Sequence, residues 1–190
     1  MTSKSMFTPN ETAIGVWNAA SPGTPPPSAE DRLYILSIDP DQKPVLQIYF
    51  SERPKSPDTS KDDPLCVRIP VNCRIILQLD PGWNWEFRQP PVKPADDPGN
   101  LGAITVNQGV TGYYNLEYEV LNGKCRRVSF FAQYRSGIAY QEGANFDSFN
   151  IYLLIDKANA GVNEPAQLAV RLDPDIQNPG NPPGFMGKGM

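Results

Sequence analysis

Residues 73–87 read CRIILQLDPGWNWEF, and this stretch decides the fold. In its first half, apolar side chains fill every second position: Cys73, Ile75, Leu77 and Leu79. Polar residues lie between them, with Ile76 as the one exception. Alternation with a period of two is typical of a strand with one face in a core. We therefore predict a half-buried strand here.

Asp80-Pro81-Gly82 ends this strand, because proline cannot continue a ladder and glycine favours a turn. Trp83 and Trp85 follow on a second short extended piece, so two of the three tryptophans of the chain lie in this stretch. We therefore place the centre of the core here.

Prolines and apolar runs organise the rest of the 190 residues. None of the 21 prolines falls between Gly99 and Glu164, which predicts an uninterrupted folded middle. No window of a dozen residues has helical periodicity, and apolar or alternating runs predict further strands. These lie at 13–17, 33–38, 45–50, 65–69, 103–106, 113–121, 127–135, 149–155 and 167–172.

Many short strands without helices indicate an antiparallel sandwich or barrel. We predict an all-β, single-domain antiparallel β-sandwich over residues 32–176. It resembles immunoglobulin-like sandwiches in the number and length of its strands, although the Cys-Trp-Cys pattern of true immunoglobulin domains is missing. Residues 1–31 form an N-terminal arm with a proline-rich connector, and 177–190 form a Pro/Gly-rich tail. The predicted buried residues are Ile35, Leu77, Leu79, Leu116, Val128, Phe130, Ile151 and Leu153.

Asn122-Gly123 is the strongest hairpin signal. We predict a three-residue loop, 121–123, with Gly123 at positive φ, because this register sets Leu116 opposite Val128 and keeps one face apolar. Tyr118 would then lie opposite Arg126.

Three predicted strands end in an aliphatic residue followed by Asp-Pro, at residues 38–40, 79–81 and 172–174. Aspartate bonds its own backbone two residues on, so these dipeptides are interpreted as strand stops. Calcium binding is the alternative, since oxygen ligands at alternate positions suit that ion, but no EF-hand loop is complete.

The composition excludes several chemistries. The chain has no histidine, which removes Ser-His-Asp and Cys-His catalysis and the HExxH zinc site. There is no glycine-rich phosphate loop and no C-x-x-C, so no cofactor and no metal are expected. The net charge is −4, and the densest basic group, Lys124, Arg126 and Arg127, is interpreted as a solvated hairpin end. Nucleic acid is therefore not an expected partner.

No run of about 18 apolar residues and no signal-like N-terminal segment occur, so we expect no membrane association and a cytoplasmic location. The three cysteines, Cys66, Cys73 and Cys125, are expected to be reduced thiols.

We predict a non-catalytic protein that acts through protein–protein contacts, with itself or another protein. Its terminal arms would assemble through four apolar anchors: Phe7, Trp17, Phe185 and Met186. The first alternative is a carbohydrate-binding module with stacking aromatics, namely Trp83, Trp85, Tyr113 and Tyr114, although such residues are also typical of a core. The second is an enzyme that uses carboxylates or a thiolate.

Overall fold

The computed structural model describes residues 10–16, 30–39, 47–53, 66–69, 71–92, 96–97, 99–134, 146–157 and 166–177. Within these ranges the chain forms twelve β-strands in two sheets and no α-helix, which confirms the all-β prediction. In the described part, no helix is long and apolar enough to cross a membrane.

One sheet has five strands. Across the sheet they are β3 (Gln47–Arg53), β2 (Glu30–Asp39), β5 (Cys73–Leu79), β9 (Lys124–Ala132) and β8 (Tyr113–Leu121). The other sheet has seven. Five of them form the path β1 (Glu11–Ala13), β7 (Ile104–Asn107), β10 (Phe146–Asp156), β12 (Asp175–Gln177) and β4 (Cys66–Arg68), and β6 (Trp85–Phe87) and β11 (Gln167–Leu172) also pair with β10.

Two ladders differ from the predicted antiparallel arrangement. β2 pairs with β5, and β12 with β4, in parallel. A parallel pair needs a connection that crosses over and returns in the same direction. Between β2 and β5 the chain passes through β3 in the same sheet and β4 in the other, which supplies that crossover.

The buried faces of both sheets share one core. Six predicted core residues are buried: Leu77, Leu79, Val128, Phe130, Ile151 and Leu153. The prediction for Ile35 was wrong, because Tyr34 and Leu36 hold the inward positions of β2 and Ile35 is half-buried. Leu33 to Ile38 is apolar on both faces, so alternation could not show which set of side chains faces the core. Leu116 is half-buried and packs at the margin of the core.

The predicted hairpin register was also wrong. Leu121 pairs directly with Lys124, so the loop has two residues, Asn122 and Gly123. Their φ angles are 53° and 78°, the two left-handed conformations that a type I′ turn requires. Positive φ at Gly123 was predicted correctly.

Two irregularities in the β8–β9 ladder explain the error in register. Glu119 pairs with Arg127 but Val120 pairs with Cys125, so Arg126 is an extra residue on β9. The second shift lies on β8 between Tyr114 and Glu117. A bulge changes which side chains oppose each other. As a result, Val128, and not Arg126, lies opposite Tyr118.

The Asp-Pro dipeptides end strands as predicted, since β2 ends at Asp39, β5 at Leu79 and β11 at Leu172. The Asp80 carboxylate accepts hydrogen bonds from the Gly82 N–H at 2.8 Å and from the Ser37 hydroxyl at 3.0 Å. After β11 the chain pairs with β10 again through β12, a strand that was not predicted. No group of three or more potential metal ligands forms among the described residues.

Candidate functional site

The four aromatic residues predicted as a sugar platform lie at different depths. Trp85 and Tyr113 belong to the core, with exposures of 0% and 4%. Trp83 and Tyr114 are half-buried. Trp85 donates from its indole to the Asp80 carbonyl at 3.0 Å. The side chains of Trp85 and Tyr113 are therefore not accessible for stacking.

The four predicted arm anchors, Phe7, Trp17, Phe185 and Met186, lie outside the described residues. Assembly through the arms stays a prediction.

A cleft of about 340 Å³ opens beside the tip of the β8–β9 hairpin. Because β5 pairs with β9, the end of β5 and the turn after it lie next to this tip. We call it the basic cleft, and its lining residues are Gln78, Leu79, Pro81, Leu121, Asn122, Lys124 and Arg126.

Lys124 is a positioned cation on the wall of the basic cleft. Its ammonium donates to the Asn84 side-chain oxygen at 2.6 Å and to the Asp156 carboxylate. Asp156 also accepts from Gln167 at 3.0 Å, and Gln167 donates to Glu86 at 2.8 Å. These hydrogen bonds, first of all the one from Lys124, lower the pKa of Asp156. The charge of Lys124 is therefore offset by a fixed anion.

Arg126 is the second cation of the cleft, and its surroundings differ. One guanidinium nitrogen donates to the Trp83 carbonyl at 2.8 Å, which is a neutral acceptor. Among the described residues no carboxylate pairs with Arg126. Its neighbour Arg127 instead pairs with Glu119 at 2.8 Å and donates to Gln78 at 2.6 Å. The bulge at Arg126 thus gives the two adjacent arginines different partners.

A second polar cluster lies on the seven-stranded sheet, and we call it the Glu11 network. The Glu11 side chain has no exposed surface, and its carboxylate accepts from the Thr105 hydroxyl at 2.9 Å and from the Tyr152 hydroxyl. Arg171 lies 3.4 Å from the same carboxylate and donates to Asn150 at 2.9 Å. Burial and the hydrogen bond to Glu11 raise the pKa of Tyr152.

A shallow depression of about 160 Å³ lies on the outer face of the five-stranded sheet. Each of its two arginines is paired with a carboxylate. Arg74 makes a two-pronged hydrogen bond to Asp31, at 3.0 and 2.7 Å, and Arg127 pairs with Glu119.

Two of the three thiols are buried. Cys73 and Cys125 form no disulfide among the described residues and lie in the core with no exposed surface. Burial raises the pKa of Cys125 to about 11. At neutral pH this thiol is therefore protonated, and a reactive thiolate is not expected from it.

Residues 45–181 match the model of a family described as "predicted novel nucleotide synthetase". The match covers most of the 190-residue chain and includes every residue that lines the basic cleft. No curated protein matches the chain. The expectation of a non-catalytic protein is overturned by this match, because a synthetase is an enzyme.

Proposed function

The chain belongs to this family of predicted nucleotide synthetases, and from that membership we propose that it is an enzyme of nucleotide synthesis whose phosphorylated substrate binds in the basic cleft. The family match is the observation that carries the proposal. The location of the site rests on the charges of the cleft.

Arg126 supports this location. A guanidinium is planar, stays charged and holds phosphate through paired N–H donors. Arg126 has only the neutral Trp83 carbonyl as an acceptor among the described residues. A cation without a counter-charge at the wall of a cleft is suited to an anionic ligand. Lys124 lines the same cleft and is held in place by Asn84 and Asp156.

The absence of histidine does not conflict with this chemistry. Phosphoryl transfer, for example, depends mainly on positioning and on electrostatic stabilisation of the charge that develops in the transition state. Fixed cations such as Lys124 and Arg126 can supply both. The lack of histidine excludes imidazole-based catalysis alone, and the prediction of a non-catalytic protein was wrong.

The activity test uses the full-length protein, incubated with pools of nucleobases, nucleosides, ribose phosphates and nucleoside triphosphates. Products are followed by liquid chromatography and mass spectrometry. We expect a new nucleotide to accumulate with time and enzyme concentration. Arg126→Gln should lower its rate of formation at least tenfold, which corresponds to about 1.4 kcal/mol of lost stabilisation.

Arg74→Gln is the matched control, because it removes the same charge from a half-buried arginine outside the cleft. Its rate should equal that of the parent. The proposal fails if folded protein makes no nucleotide from any pool. The assignment to the basic cleft fails if Arg126→Gln and Arg74→Gln form product at the same rate.

A further inference from the structure

The size of the basic cleft limits its ligand. Small-molecule sites usually measure roughly 300–1,000 Å³. At about 340 Å³, the cleft lies at the lower end of that range. This volume suits one mononucleotide better than a dinucleotide or two nucleotides side by side.

The charges of the cleft limit the number of phosphate groups. Lys124 and Arg126 are its only cations among the described lining residues, and Asp156 offsets Lys124. The three groups together contribute one net positive charge. A phosphate monoester carries roughly −1.5 to −2 at pH 7, which these two donors can bind. A second or third phosphate would add negative charge, and the described part of the wall holds no further cation to offset it.

The remaining lining residues suit a nucleoside. Leu121 is 41% exposed and Pro81 is exposed, so the wall offers apolar surface that a base or ribose can cover. The side-chain oxygen of Gln78 accepts twice from Arg127, at 3.1 and 2.6 Å. Its amide nitrogen has no partner among the described residues and remains a donor for a ligand oxygen. Asn122 adds a second amide.

We infer that the basic cleft binds a nucleoside monophosphate, with its phosphate on Arg126 and Lys124 and its nucleoside against Leu121 and Pro81. This inference rests on the proposed function and names the substrate class of that site. If the cleft is a monophosphate site, affinity should fall as further phosphates are added to the ligand. If it is a triphosphate site, affinity should rise.

The test is a calorimetric titration of the full-length protein with a nucleoside and its mono-, di- and triphosphate. Inorganic phosphate and ribose 5-phosphate complete the series. We expect the monophosphate to bind at least tenfold more tightly than the nucleoside, the triphosphate and ribose 5-phosphate. Arg126→Gln should weaken monophosphate binding at least tenfold and leave nucleoside binding unchanged. Leu121→Ser should reduce the difference in affinity between the monophosphate and ribose 5-phosphate.

Arg74→Gln again serves as the control and should bind like the parent. Affinity that rises from mono- to triphosphate and still depends on Arg126 would overturn the monophosphate inference and leave the proposed function standing. Equal affinity for ribose 5-phosphate and the monophosphate would overturn the nucleoside contacts. Binding that is unaffected by Arg126→Gln would overturn both the inference and the location of the site, while the activity assay decides the function separately.

Discussion

The Glu11 network and the basic cleft are both built from charged and amide side chains, but they differ in accessibility and balance. The Glu11 carboxylate is fully buried and has hydroxyl and guanidinium partners around it. The basic cleft is open, and among the described residues its Arg126 has only a neutral acceptor, the Trp83 carbonyl. Polar groups that are buried and mutually paired stabilise a structure, whereas an accessible, uncompensated cation is suited to a ligand.

The two regions differ in part in their position relative to the family match. Every residue of the basic cleft lies within residues 45–181, whereas the central carboxylate of the network, Glu11, lies before residue 45 and its partners lie within the match. Because the network is buried and paired while the cleft is accessible, we expect substitutions in the Glu11 network to change stability and substitutions in the cleft to change ligand binding. Four measurements test this contrast.

Glu11→Ala should have the largest effect on stability. It leaves the buried Thr105 and Tyr152 hydroxyls and the Arg171 guanidinium without their shared acceptor. We expect the free energy of unfolding in urea to fall by about 3 kcal/mol. Thr12→Ala, at the exposed neighbouring position of β1, is the control. A loss below about 1 kcal/mol would mean that the network does not stabilise the fold.

Tyr152→Phe should cost about 2 kcal/mol at pH 7, because the buried Glu11 carboxylate loses one donor. The raised pKa of Tyr152 means that the folded state favours the protonated phenol. Its contribution is fully present below the ordinary tyrosine value of 10.0 and is lost as the pH rises through the folded pKa. The difference in free energy of unfolding between parent and variant, measured in urea, should therefore be smaller at about pH 11 than at pH 7. A constant gap would contradict this prediction.

Gly123→Val should destabilise the chain by about 1 kcal/mol through its backbone alone. Gly123 has a φ of 78°, and a Cβ at this position would meet no atom within 4 Å. The left-handed conformation is costly for a β-branched residue but is tolerated by asparagine. Gly123→Asn should therefore unfold at nearly the parental urea concentration. If Val and Asn have equal effects, the type I′ turn is not required.

Arg126→Gln should have the smallest effect on stability, within about 0.5 kcal/mol, because the residue is half-buried and its one hydrogen bond to a described residue goes to a carbonyl. Urea unfolding and ligand titration on the same preparation measure both quantities. A tenfold loss of ligand affinity with little loss of stability would support the contrast. A stability loss equal to that of Glu11→Ala would remove it.

Local patterns were sufficient where a strand alternates cleanly. The predicted ranges 73–79, 113–121 and 167–172 coincide with β5, β8 and β11. β12 was missed because it has three residues and follows an Asp-Pro that was read only as a stop. The residues of β2 that face the core were predicted wrongly because both faces of the strand are apolar. The hairpin register was predicted wrongly because bulges leave no clear mark in the sequence.

The candidate site depended on contacts that are distant in sequence. Lys124, Arg126 and Arg127 were recognised as the densest basic group, but they were read as a solvated hairpin end. The partners of Lys124 lie 40 and 32 residues away, at Asn84 and Asp156. The pairing of β5 with β9 brings Gln78 and Pro81 to the same tip. The basic residues that follow the Asn-Gly turn were the signal available in the sequence.

The Glu11 network also affects the order in which the strands fold. The hydrogen bonds of Glu11 to Thr105 and Tyr152 span 94 and 141 residues, and β2 must find β5 in parallel. Contacts of such sequence separation form slowly, because the loop must close before it is stabilised. During synthesis, β1 leaves the ribosome before β7 and β10, the described strands that supply its ladder and the Tyr152 hydrogen bond. Folding should therefore finish at the N-terminal strand, and unfolding should begin there.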